Sequence, residues 1–139
     1  MDIRRITDRY AVSPQIAPED MGAIAEAGFT TVIDNRPDAE VPPAAQTVAM
    51  RQAAEAAGLT FVANPVTHQG LNMDMVTDQR DAMEASSGPV LAYCASGTRS
   101  TIVWALGQAA EMEPDAIIEA AARAGYDIGG MRPQLNALR

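Results

Sequence analysis

The sequence predicts a three-layer α/β domain with a central, mostly parallel sheet flanked by helices. Short β-branched or aromatic runs alternate with longer alanine-rich stretches, the pattern of strands and crossover helices. Val90-Leu91-Ala92-Tyr93 is an apolar run without alternation, as a central strand covered on both faces requires. Glycine and proline punctuate the chain between these segments. With 139 residues, 47% hydrophobic and 20% charged, the chain can bury one core, and residues 1–139 are read as a single domain.

Ile3 to Ile6 and Tyr10 to Ser13 read as opening strands. A helix follows from Pro18, with Glu19 and Asp20 at its positive end and Gly28 closing it. Thr30 to Asp34 is a strand that ends in the polar loop Asn35-Arg36-Pro37-Asp38. Met50, Ala53, Ala54 and Ala57 recur at helical spacing within Ala45 to Ala57, and Gly58 supplies the stop. Leu59 to Ala63 reads as a buried strand. Asn64 to Leu71 is then a loop, and Asn72 caps a helix to Ala85. Val90 to Tyr93 leads to Cys94. Ile102, Val103, Leu106, Ala109 and Ala110 sketch the next helix, Pro114 starts another through Ala124, and Pro133 opens a short terminal one.

Composition narrows the chemistry. Ten basic residues against 18 acidic ones give a net charge of -8, which disfavours nucleic acid and anionic membranes as partners. Every basic residue is an arginine, so Schiff-base chemistry and a lysine phosphate clamp are excluded. One cysteine, Cys94, and one histidine, His68, exclude an internal disulfide and disfavour a catalytic zinc site. Nothing in the sequence calls for a cofactor. Met1 to Arg5 runs into Asp8 and Arg9 without the apolar stretch of a secretory signal, and a reducing cytoplasm is expected.

The segment that carries chemistry is Cys94-Ala95-Ser96-Gly97-Thr98-Arg99-Ser100, between a buried strand and a helix. A loop of small residues entering a helix N-terminus turns backbone N–H groups toward one point, and the helix dipole adds positive potential there. Ala95, Ser96, Gly97 and Thr98 would form this anion cradle, and Cys94 at its start sits in a field that favours the thiolate. Arg99 offers a planar fork to two oxygens of an anion, which lysine cannot reproduce. Ser100 could donate its hydroxyl to the thiolate and assist its departure in a second step. These residues describe covalent catalysis through a cysteinyl intermediate.

The pattern Cys-x-x-Gly-x-Arg-Ser resembles the active loops of rhodanese-type sulfurtransferases and of the protein tyrosine phosphatase superfamily. It is most similar to a bacterial family of phosphatase-like domains, related to the N-terminal part of beta-lactamase hydrolase-like proteins and often labelled sulfurtransferases. Ser13-Pro14-Gln15-Ile16, Asn35-Arg36-Pro37 with Glu40, Gly88-Pro89-Val90-Leu91 and Ala124-Gly125-Tyr126-Asp127 extend the resemblance over nearly the whole chain. The resemblance implies a cysteine-phosphatase-like fold. Two successive helices without a later strand favour that topology over rhodanese, the runner-up.

Spacing and side chains separate the chemistries this resemblance allows. Tyrosine phosphatases place five residues between cysteine and arginine, with a histidine before the cysteine. Here there are four, and Tyr93 holds the histidine's place. The shorter loop suits a terminal sulfur. A phosphatase also needs a general acid, and Asn64 to Leu71 contains no carboxylate. Asp74 lies in the first turn of the next helix, where dipole stabilisation competes with an acid role. His68 could line the mouth of the site or stand exposed, and Arg36 could attract the anion or merely pair with Asp38 or Glu40.

The leading expectation is a sulfurtransferase that carries a persulfide on Cys94 and acts on a small anionic or persulfide substrate. The resemblance adds a detoxification setting and a persulfide dioxygenase as partner. A phosphatase acting through phosphocysteine is the alternative, followed by a non-catalytic anion-binding or redox-sensing module.

Overall fold

The computed structural model describes residues 1–67 and 69–139. Five strands form one sheet in the order β1-β2-β5-β3-β4: β1 (Arg4–Arg5), β2 (Tyr10–Ser13), β3 (Thr31–Asp34), β4 (Thr60–Ala63) and β5 (Val90–Tyr93). Among the described residues only the β1–β2 pairing is antiparallel; β2, β5, β3 and β4 run parallel. The helices are α1 (Met21–Glu26), α2 (Thr47–Ala56), α3 (Met73–Ala85), α4 (Thr98–Gln108), α5 (Pro114–Arg123) and α6 (Arg132–Ala137). The sequence predicts one helix from Pro18; the structure opens it with a 3-10 turn over Pro18–Asp20, where the Asp20 carboxylate accepts the Ala17 N–H at 2.8 Å.

The pleat explains the layers. Successive strand residues point to opposite faces, so each parallel strand feeds two cores. Val32, Leu91 and Tyr93 pack with Met21, Ile24, Met50 and Ala54 from α1 and α2. Ile33, Val90 and Ala92 pack on the other face with Trp104, Ala105, Ile117 and Leu135. Trp104 is buried and stacks on Tyr10, with ring centroids 6.0 Å apart. No helix among the described residues is long and apolar enough to cross a membrane.

One expectation needs correction. Leu59 to Ala63 reads as a buried strand, but β4 lies at the edge of the sheet, with Thr60 and Ala63 exposed. The Arg51 guanidinium lies 5.1 Å from the Phe61 ring centroid and donates to the Phe61 carbonyl, placing a cation on this edge. At the opposite edge, β1 is only two arginines long. Charge and shortness both discourage strand addition.

The carboxyl ends of β3 and β5 lie side by side, with Asp34 opposite Tyr93. The chain leaves them as the 35–40 and 94–97 loops, so the topology itself assembles one crevice. Asp34 is 3% exposed and accepts the Arg36 N–H at 2.8 Å. Burial nevertheless pushes its carboxyl up to about 6. The folded state therefore binds this proton more tightly than the unfolded chain, and its contribution to stability is lost as pH rises from about 4 to 6. Asp34→Asn is expected to leave stability near pH 4 almost unchanged and to raise it by about 3 kcal/mol at pH 8. Urea midpoints at the two pH values check this; an equal change at both would refute the buried-carboxylate account.

Candidate active site

Cys94 follows directly from β5 and is 1% exposed. Its sulfur accepts the Gly97 N–H at 3.1 Å, so the loop has closed on the cysteine. That closure depends on Gly97, whose φ of +95° lies in the left-handed region that favours glycine. A Cβ there would collide with the Tyr126 hydroxyl and stand 2.8 Å from Cζ. From Gly97 the chain enters α4, and the Gly97 carbonyl accepts the Thr101 N–H at 3.0 Å and the Thr101 hydroxyl at 2.8 Å. Ala95, Ser96 and Thr98 are exposed along the outer arc of the loop. The Ser96 hydroxyl donates to Thr98 Oγ1 at 3.0 Å, and the Tyr126 hydroxyl donates to the Ser96 carbonyl at 2.9 Å.

Arg99 is buried, 6% exposed, and forms an ion pair with Glu40. Its Nη1 and Nη2 meet the two Glu40 carboxylate oxygens at 2.9 and 2.8 Å, and the second Nη1 hydrogen reaches the Val66 carbonyl at 2.8 Å. Glu40 is the main reason the guanidinium pKa is raised, with the Cys94 sulfur adding to it. In return Arg99 holds the Glu40 carboxyl below its ordinary range, against partial burial and with help from Arg36. The guanidinium has five N–H donors. Its Nε–H and second Nη2–H, a parallel fork, meet no acceptor oxygen among the described residues. A parallel fork of this kind can hold two oxygens of an anion.

Arg36 also leans on Glu40, with Nε at 3.3 Å from Oε1, and its Nη1 lies 3.3 Å from the Gln15 side-chain oxygen. The Gln15 N–H in turn binds the Ala95 carbonyl at 3.3 Å. Arg36 thus pairs with Glu40, as one of the two sequence readings has it, and stands near the loop through Gln15.

Other expectations fare differently. The Ser100 hydroxyl is turned away from the role anticipated for it and donates to Asn35 Oδ1 at 2.9 Å, with Ser100 wholly buried. Asp74 is exposed in the first turn of α3, behind Asn72, whose side chain accepts the Met75 N–H at 3.0 Å. That placement fits dipole stabilisation and puts no carboxylate in the 64–71 loop. His68 lies outside the described residues. No group of three or more metal-ligating side chains occurs among the described residues.

Sequence reasoning missed the reach of Glu40, the Tyr126 prop and a buried polar cluster of Asn35, Asn64, Gln79 and Tyr10. The pairing of Glu40 with Arg99 spans 59 positions and leaves no local signal. Asn35 and Gln79 look like ordinary loop and helix-surface polar residues.

Because Gly97 supplies both the turn and the room for Tyr126, Gly97→Ala is expected to lower kcat/KM by at least about tenfold while the far-ultraviolet spectrum stays native. Unchanged kinetics in Gly97→Ala would show that the loop does not need this conformation.

Residues 2–111 match the family model for the phosphatase-like domain of beta-lactamase hydrolase-like protein. A beta-lactamase hydrolase-like protein of Xylella fastidiosa (strain Temecula1 / ATCC 700964) is 30% identical over 131 residues, covering 93% of this chain and 30% of that protein. The chain spans only 24% to 30% of the length of such relatives. Among solved structures, the nma1982 protein of Neisseria meningitidis Z2491, described as a candidate phosphatase, superposes with a TM-score of 0.86 at 35% identity, over 100% of this chain and 99% of that one. Tk-PTP in its active form shares the fold, with a TM-score of 0.69 at 17% identity over 96% of this chain and 92% of that one. The loop, its paired arginine and the sheet around them therefore have a family: the chain belongs to the phosphatase-like domains of the beta-lactamase hydrolase-like proteins, with the cysteine-phosphatase fold.

Proposed function

We propose that the protein hydrolyses small phosphate monoesters through a phosphocysteine on Cys94. The observation that carries this reading is the divided labour of Arg99: Glu40 and Val66 occupy three of its N–H groups. The remaining parallel pair suits two oxygens of a phosphoryl group. The fold shared with cysteine phosphatases supports the same reading.

In the first step the Cys94 thiolate attacks phosphorus, the S–P bond forms, and the ester oxygen leaves with the bonding pair. Arg99 and the loop amides hold the equatorial oxygens, where negative charge is spread during transfer. Water then attacks the phosphocysteine, the S–P bond breaks, and sulfur recovers its electron pair as inorganic phosphate departs. The 64–71 loop offers no carboxylate to protonate the leaving oxygen. The substrates expected are accordingly those with good leaving groups, such as aryl phosphates. With a net charge of -8 on the chain, substrate capture relies on this local positive site rather than on long-range attraction.

Sulfur transfer is the second reading. It is favoured by the four residues between Cys94 and Arg99 and by the same missing carboxylate, because sulfite or a thiolate leaves without an acid. In that chemistry a sulfane sulfur passes to Cys94 as a persulfide and then to an acceptor thiol, and a persulfide dioxygenase would be a fitting partner.

Turnover of p-nitrophenyl phosphate, followed at equal protein concentration, separates the readings. Wild-type protein is expected to release p-nitrophenolate, and Cys94→Ser to release none. Arg99→Lys keeps the charge but loses the fork, and is expected to lose about a hundredfold in kcat/KM. Intact mass is read in parallel: a phosphoryl adduct supports the phosphatase. A persulfide adduct from thiosulfate, without any phosphate release, would replace it with the sulfurtransferase.

A further inference from the structure

The loop around Cys94 is gripped from outside at two successive carbonyls. The Ala95 carbonyl accepts the Gln15 main-chain N–H at 3.3 Å, and the Ser96 carbonyl accepts the Tyr126 hydroxyl at 2.9 Å. The first donor belongs to the backbone; the second is a side chain. Among the described residues no peptide bond is cis, so the unit joining Ser96 to Gly97 is trans. In a planar trans peptide the C=O and the N–H point in opposite directions. One rigid unit is therefore held at both ends, its oxygen outward on Tyr126 and its hydrogen inward on the Cys94 sulfur at 3.1 Å.

The hinge of this unit is Gly97, with φ at +95°. Half a turn of the peptide would carry that φ to about −85°, a region glycine populates just as readily. The Gly97 N–H would then point outward, and the Ser96 carbonyl would set the negative end of its dipole against the sulfur. With glycine at the hinge the backbone does not choose between the two orientations. A partner for the outward carbonyl does.

Tyr126 is held ready for that task. It is 8% exposed, its N–H is bonded to the Ala121 carbonyl at 2.9 Å at the end of α5, and the Arg4 guanidinium stands over its ring. Burial pushes its hydroxyl above the ordinary range; Arg4 opposes the rise and the Cys94 charge adds to it. The phenol thus stays protonated, and a donor, over the range in which thiols ionise.

We infer that Tyr126 is a positioning residue: by keeping the Ser96 carbonyl outward it aims the Gly97 N–H at Cys94, where the amide stabilises the thiolate. A hydrogen bond to the charged form of a group favours that form. Phosphoryl transfer and sulfur transfer both begin at the thiolate, so the role is the same under either reading.

Ultraviolet absorbance of the thiolate, titrated with pH, reads Cys94 directly because the chain has one cysteine. Each protein is read against the same chain carrying Cys94→Ser, which removes the tyrosine contribution. Tyr126→Phe keeps the ring and loses only the hydroxyl; its far-ultraviolet spectrum is expected to stay native. The titration midpoint is expected to move up by about one pH unit, a tenfold loss in the ionisation equilibrium. Gly97→Ala, whose Cβ disfavours the positive φ, is expected to move the midpoint the same way and at least as far. The double variant goes no further than Gly97→Ala, because both changes act through one peptide. An unmoved midpoint in natively folded Tyr126→Phe, or shifts that add in the double variant, would overturn the inference and leave Tyr126 as packing. The readout needs no turnover, so a failure of the phosphatase reading is told apart from a failure of this one.

Discussion

A guanidinium held at 6% exposure is the constraint around which this molecule is built. A buried charge of that kind is tolerated only when its hydrogen bonds are met, and removing one partner leaves the other uncompensated. Arg99 meets the requirement for its charge and for three of its five N–H groups with Glu40 from the loop after β3 and Val66 from the loop after β4. One side chain at the start of α4 thereby ties together the exits of two strands. The remaining edge of Arg99 is fixed in space by what the rest of the guanidinium must do to stay buried.

Glu40 is the counterpart of this arrangement. It neutralises Arg99 and is itself shared with Arg36, so the site holds two guanidiniums on one carboxylate. In the proposed reaction a phosphoryl group would meet these guanidiniums without displacing Glu40. On that reading the acidic chain holds its anion by short-range contacts rather than by global charge.

The sequence disclosed the punctuation of the fold well, because glycine, proline and caps act locally. Gly28, Gly58 and Gly125 all take positive φ where a helix ends, and Asn72 caps α3. The Cys94 to Ser100 segment stood out for a related reason, since its residues are contiguous in the chain. What stayed hidden is tertiary. The apolar run at 59–63 gives no sign that β4 is an edge strand, because an edge is defined by the absent neighbour. Gln79 sits on a helix whose polar residues mostly face solvent, and only the folded polar cluster reveals it as buried. Ser100 shows how far a local reading reaches: its position beside the nucleophile is evident from the chain, but the partner of its hydroxyl lies 65 positions away.

The outer wall of the active loop has an unusual provenance. Tyr126 reaches the Ser96 carbonyl from the segment after α5, and Arg4 of β1 lies 5.5 Å from the Tyr126 ring centroid while donating to the Ala124 carbonyl at 3.2 Å. Residues near the beginning and near the end of the sequence thus meet over a loop encoded between them. During synthesis the strand, cysteine and arginine emerge well before Tyr126 does. A ribosome-bound chain therefore carries Cys94 and Arg99 without the prop on Ser96, and the loop takes its folded shape only after α5 has been made and folded back.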